Sequence, residues 1–215
     1  VYVYRKNLGE QLATENNIKA DVVIPVPDSG VPAALGFAQK SNIPFELGII
    51  RNHYVGRTFI EPTQNIRQFG VKLKHSANRS YIENKKVILI DDSIVRGTTA
   101  RKIVKMIYDV GATEVHFGIS CPPITHPDFY GIDTPDYDEL LASKSTIEEM
   151  RDSIGATSLF FLSLDGTYKA MGQDKRDNAN PQFTDHCFTG EYPTQLLDHE
   201  QGTTSKQYSL LTEKN

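Results

Sequence analysis

Short apolar runs alternate with stretches of helical period along this chain. "DVVIPV" (21–26), "FELGII" (45–50), "VILI" (87–90), "EVHFGIS" (114–120) and "SLFFLSL" (158–164) are each bounded by turn-forming or charged residues, and brief, nearly continuous apolar runs of this kind predict buried strands. Between them lie amphipathic segments. Leu8 and Leu12 share one face of a helix predicted over Tyr4 to Asn16. Pro32 stands near the start of a second helix, "GVPAALGFAQK", where a missing N–H costs little. From Thr98 onward Ala100, Ile103, Val104, Ile107 and Val110 recur at helical spacing, with Gly111 as a fitting stop. Ser145 and Glu148 form a capping-box pattern for a helix ending near Gly155. "IRQFGVKLKH" (66–75) is weakly helical and basic, while 51–65 and 121–135 read as polar connections. No internal repeat is visible. Strands alternating with helices predict an α/β domain, a mostly parallel sheet with helices on both faces, over residues 1–172. The apolar pattern fades after Met171, so 173–215 reads as an irregular or partly helical tail.

Composition narrows the class. With 39% hydrophobic residues among 215, the chain can bury a sizeable core. A net charge of −4 argues against a broad nucleic-acid surface. No run of 18 apolar residues and no signal-peptide pattern is present, so the reading is a cytoplasmic protein with no membrane partner. Cys121 and Cys187 lie far apart, which fits reduced thiols packed as small apolar groups better than a disulfide scaffold. The six histidines, His53, His75 and His116 among them, show no metal-ligand spacing and read as surface or core residues. The chain begins at Val1 and not at Met, so a fragment or processed product is expected.

In a parallel sheet, ligands sit beyond the carboxyl ends of the strands. Two loops there carry chemistry: "PVPDSG" after the first strand and "DDSIVRGTT" after "VILI". Paired acids at a strand's exposed end can bind a hydrated divalent cation or hydrogen-bond vicinal hydroxyls. The small-residue turn that follows runs into a helix N-terminus, whose free N–H groups and positive dipole end favour an anion. Gly97 lets the backbone come close, and Thr98 and Thr99 add hydroxyl donors. Either half alone also fits an ordinary turn and helix cap. Joined, diol site beside monophosphate site describes a ribose 5-phosphate.

"VILIDDSIVRGTT" resembles the phosphoribosyl pyrophosphate (PRPP) signature of the type I phosphoribosyltransferases. With "VVIPVPDSG", "RNHYVGRTFI", "HPDFYGID" and "CFTGEYPT" it is similar to the amidophosphoribosyltransferase family, the glutamine PRPP amidotransferases, from about Val1 to Thr194. The resemblance implies a type I phosphoribosyltransferase fold. It implies that Asp91 and Asp92 serve the ribose hydroxyls and a Mg²⁺ ion, and that Ser93, Ile94, Val95, Arg96, Gly97, Thr98 and Thr99 cradle the 5-phosphate. Asp28, Ser29 and Gly30 correspond to the pyrophosphate loop, with Ser29 reaching the metal, and Arg57 and Lys74 match positions suited to the diphosphate. "RNHYVGRTFI" corresponds to a closing lid, although length and composition alone would equally describe a surface loop. Tyr54 and Ile60 match residues lining an ammonia path, and Tyr54 and Arg57 join the two aspartates as implied catalytic residues. The basic residues of "RQFGVKLKH" also fit a solvated helix face.

The implied reaction is attack of ammonia on C1 of PRPP with loss of pyrophosphate, the first step of de novo purine synthesis. The implied partners are a glutaminase domain that draws ammonia from glutamine, purine nucleotide inhibitors binding near Arg51 and the phosphate loop, and further copies in a homotetramer. The glutaminase half is absent from this sequence. Some family members hold an iron–sulfur cluster on four cysteines; here Asp128, Pro181 and Thr184 stand at three of those positions, so no cluster is expected. Two readings compete: a purine-salvage phosphoribosyltransferase, and a non-catalytic PRPP-binding regulator.

Overall fold

The apolar run 87–90 lies at the centre of the sheet, and all four of its residues are fully buried. The computed structural model describes residues 1–51, 75–132, 134 and 136–196. Its strands are β1 (Val22–Pro25), β2 (Ile49–Arg51), β3 (His75–Ala77), β4 (Lys86–Asp91), β5 (Glu114–Ile119) and β6 (Ser158–Phe161). Its helices are α1 (Tyr2–Glu15), α2 (Val31–Ser41), α3 (Arg79–Ile82), α4 (Thr98–Asp109), α5 (Leu141–Lys144), α6 (Ile147–Ile154), α7 (Leu164–Ala170) and α8 (His186–Thr189). β1, β4, β5 and β6 form a parallel sheet in that order. Pro25 lies opposite Ile90, and Asp91 opposite Ile119. β1 and β4 therefore end side by side, and the two loops singled out above emerge next to each other.

The strand period of two divides the apolar residues between two cores. Val22, Ile24, Val87, Leu89, Val115, Phe117 and Leu159 pack against Ala100, Ile103, Val104 and Ile107 of α4 and Met150 and Ile154 of α6. Val23, Ile88, Ile90 and Phe160 face the other way, onto Leu12 of α1 and Ala33, Ala34, Phe37 and Ala38 of α2. Runs without polar interruption follow from this: both faces are covered, so neither needs polar side chains. α1 and α2 cross closely. A Cβ on Gly9 would lie 1.8 Å from the Ala33 carbonyl oxygen, and one on Gly36 2.0 Å from that of Lys6.

Several local expectations shift. Of "FELGII" only Ile49 and Ile50 are strand, continuing to Arg51 and paired antiparallel with β3 in a separate ribbon, while Phe45 makes a lone bridge to Val23. The strand expected to reach Leu164 stops at Phe161, because the Ser163 hydroxyl accepts from the Gly166 amide (2.8 Å) and starts α7. The capping box belongs to Thr146 and Glu149, one residue later than read. The Thr146 N–H donates to Glu149 Oε2 (2.8 Å) and the Glu149 N–H to Thr146 Oγ1 (3.2 Å). That phase turns Met150 and Ile154 inward. Residues 173–196 are mostly irregular but anchored. Arg176, 6% exposed, donates from Nε to Asp185 Oδ2 (2.6 Å), which also accepts from the Tyr168 hydroxyl (2.8 Å). The Thr125 and His126 amides donate to the Cys187 carbonyl (3.0 and 3.1 Å), tying this segment to the loop after β5.

Candidate functional site

Asp91 ends β4 half-buried, and its Oδ1 accepts from the Asp92 amide (2.8 Å) and from the Ser29 hydroxyl (3.4 Å). Ser29 comes from the loop after β1, so one carboxylate gathers both loops. Asp92 Oδ1 accepts from the Ser93 hydroxyl (3.3 Å), and the Ser120 amide holds the Asp91 carbonyl (3.0 Å). Burial, and then the Asp92 carboxylate beside it, pushes Asp91 up to about 7. Ser29, Asp91 and Asp92 offer only oxygen, the donor set of a hard divalent cation.

The first loop is pressed onto the second. The Gly30 amide donates to the Val26 carbonyl (3.0 Å) and the Val26 amide to that of Ile90 (2.8 Å). A Cβ on Gly30 would sit 2.3 Å from the Ile90 carbonyl oxygen, so glycine is required there for close approach. The peptide joining Pro27 to Asp28 is cis. Asp28 is exposed, and its Oδ2 accepts from Arg51 Nη1 (2.6 Å).

Across from these groups, α4 begins at Gly97, whose φ of 71° is left-handed, and no side chain caps the helix. The first amides are thus left to another acceptor, and Thr98 and Thr99 are exposed beside them. The rest of the loop is braced from behind. Ile94 is buried, the Leu141 amide donates to the Val95 carbonyl (2.9 Å), and Arg96 Nε donates to Glu139 Oε2 (2.9 Å). Ile94 and Arg96 therefore shape the loop with side chains turned to the core and to Glu139. Tyr54, Arg57, Ile60 and Lys74, with all of the expected lid except Arg51, lie outside the described residues.

A family model, the phosphoribosyl transferase domain, matches residues 5–131, which include both loops and the paired aspartates. The chain belongs to this family. As a phosphoribosyltransferase-family chain it is 63% identical to an amidophosphoribosyltransferase of Rhizobium etli over 212 residues, 98% of this chain and 43% of that protein. It is 54% identical to the Bacillus subtilis amidophosphoribosyltransferase over 196 residues, 91% and 41% of the two. The B. subtilis glutamine PRPP amidotransferase solved with ADP and GMP superposes with a TM-score of 0.82 at 52% identity, over 94% of this chain and 44% of that one. The fold and the likeness to the phosphoribosyltransferase half of these enzymes stand as the motifs implied. The chain spans less than half the length of the curated relatives it matches.

The cysteines are both free and half-buried, not wholly core. Burial raises the Cys121 thiol well above its ordinary range and pushes Cys187 up to about 11, so neither is a ready nucleophile. Sequence reading missed His186 as a site candidate. It is 4% exposed, and its Nε2 is 2.8 Å from Oδ2 of Asp128, a residue 58 positions away, a pairing that no local spacing announces. Among the described residues no helix is long and apolar enough to cross a membrane.

Proposed function

We propose that this chain joins ammonia to C1 of PRPP, giving 5-phosphoribosylamine and pyrophosphate, the opening step of purine synthesis. The observation that carries the reading is the Ser29–Asp91 contact, which places the two loops on one carboxylate beside the uncapped start of α4. The Gly97–Thr99 turn presents amides and hydroxyls to the 5-phosphate. Asp91 and Asp92 accept from the ribose hydroxyls and, with Ser29, would hold Mg²⁺. Burial and the neighbouring Asp92 carboxylate, which together raise Asp91, support a cation there. Bound, Mg²⁺ would neutralise the diphosphate and make it a better leaving group. Asp28 and Gly30 shape the loop around that diphosphate, and Arg57 and Lys74 add positive charge. C1 becomes oxocarbenium-like as the C1–O bond breaks; the ammonia nitrogen forms the new bond with inversion, then gives up a proton. Ammonia is already a nucleophile, so the site supplies charge stabilisation and excludes water, the latter by closure of the Arg51–Ile60 segment, in which Tyr54 and Ile60 line the ammonia path.

The high identity to two amidophosphoribosyltransferases supports this choice of acceptor over a purine base. In the complete enzyme a glutaminase domain, in the same or another chain, supplies the ammonia, purine nucleotides inhibit, and the protein works as a cytoplasmic homotetramer. Replacing Asp91 and Asp92 together by Asn should abolish ammonia-dependent pyrophosphate release from PRPP. Near-normal turnover in that double variant would remove the assignment.

A further inference from the structure

Asp128, His186 and Cys187 form a group that the proposed reaction does not use. One possible ligand atom from each lies within 4.8 Å of the others. Asp128 is pre-oriented: its Oδ1 accepts from the Tyr130 (2.7 Å) and Ile132 (3.0 Å) amides, leaving Oδ2 to face His186 Nε2 at 2.8 Å. Backbone amides that fix a carboxylate in this way are typical of the shell around a metal ligand. The imidazole is held edge-on by the Tyr130 ring, with centroids 5.0 Å apart, and tilted against Tyr192 at 5.2 Å. The Asp128 bond does not satisfy His186, because its buried Nδ1 has no hydrogen-bond partner among the described residues.

We propose that Asp128, His186 and Cys187 bind one divalent ion of the zinc type, with water as the fourth ligand. Carboxylate and thiolate together carry two negative charges, and neutral imidazole adds none, so a divalent ion leaves a buried site with no net charge. Nitrogen, sulfur and one oxygen at tetrahedral positions is a borderline-soft set that favours Zn²⁺ over Mg²⁺. Binding releases the thiol proton, the neutral imidazole keeps its one proton on Nδ1 so that Nε2 can ligate, and the 2.8 Å contact opens by a few tenths of an ångström to admit the ion. Such an ion would join the loop after β5 to the segment carrying α8, two stretches 58 residues apart. It is not a cluster of the four-cysteine kind.

The test is a Co²⁺ titration of the purified protein after chelator treatment, with Zn²⁺ as competitor. One equivalent should produce the visible bands of tetrahedral Co²⁺ and a near-ultraviolet thiolate charge-transfer band, and Zn²⁺ should abolish both. Cys187→Ser, at a half-buried thiol, should fold, lose the charge-transfer band and bind at least about tenfold more weakly. His186→Gln should lose the tetrahedral spectrum. Zn²⁺ should raise the melting temperature of the parent protein and not that of Cys187→Ser. Absence of tetrahedral bands at millimolar Co²⁺, or bands unchanged in Cys187→Ser, would overturn the proposal and leave Asp128–His186 as a hydrogen-bonded brace. PRPP enters none of these measurements, so their outcome is separate from that of the proposed reaction.

Discussion

Ser29 stands 62 residues before Asp91, and its hydroxyl reaches that carboxylate across the gap between β1 and β4. A hydrogen bond stretched to 3.4 Å is weak, so the contact matters less for stability than for placing an oxygen beside two acids. Ser29→Ala should leave the melting temperature within about a degree, since half-buried single changes of this kind cost under about 0.5 kcal/mol. It should also raise the Mg²⁺ and PRPP concentrations needed for half-maximal pyrophosphate release by several-fold. Identical Mg²⁺ dependence in parent and variant would count against Ser29 as a metal-side residue. The quoted motifs pointed to Ser29, Gly30, Asp91, Asp92 and Gly97 because these loops are contiguous in sequence. His186 escaped notice because its partner Asp128 lies 58 residues away, at no diagnostic spacing.

Among the elements, the α1–α2 crossing is where a small change would propagate furthest. Gly9 rides against the backbone of Ala33, and Gly36 against that of Lys6, so the two helices approach without intervening side chains. These helices in turn cover Val23, Ile88 and Ile90. Gly9→Ala places a methyl carbon 1.8 Å from a carbonyl oxygen that cannot rotate away. The helices must separate, at a cost of about 1–3 kcal/mol, even though alanine has the better helix propensity. Urea denaturation should show a lower midpoint at an unchanged slope, and a midpoint equal to or above that of the parent would refute the close crossing. The strand runs and the α4 stripe were legible because burial on two faces or one leaves a plain apolar pattern. The capping-box phase was not, because Ser145 and Thr146 are both competent caps and the choice falls to whichever phase turns Met150 and Ile154 inward.

Seen as a molecule, the chain closes on itself through a polar core that its apolar pattern does not disclose. Arg176 lies between Asp185 and Glu191, and Tyr168 of α7 donates to the same Asp185. Burial by itself would raise the Asp185 carboxyl, but bonds from Arg176 and Tyr168 outweigh it and hold the group below the usual carboxylate range. The sign follows: with the folded value below the unfolded value of about 3.9, the Asp185 contribution is complete above that pH. It is lost as pH falls through the folded value. Asp185→Asn should therefore flatten the acid limb of a stability–pH profile, and an unaltered limb would show that Asp185 does not set it. Arg176→Met strands a buried carboxylate and should cost about 3–5 kcal/mol at neutral pH, read from chemical denaturation.

What the amino-acid order dictates here is local and repetitive: which segments are strand or helix, and which two loops carry phosphate-type chemistry. Both signals arise from neighbours in the chain, as apolar period and as motif. The strand order that sets β1 beside β4, and with it the Ser29–Asp91 contact, comes from how covered faces pack in space. So do the burial of Arg176 and the meeting of Asp128 with His186. These pairings join residues far apart in sequence, and their energies exist only once the solvent between them has been excluded.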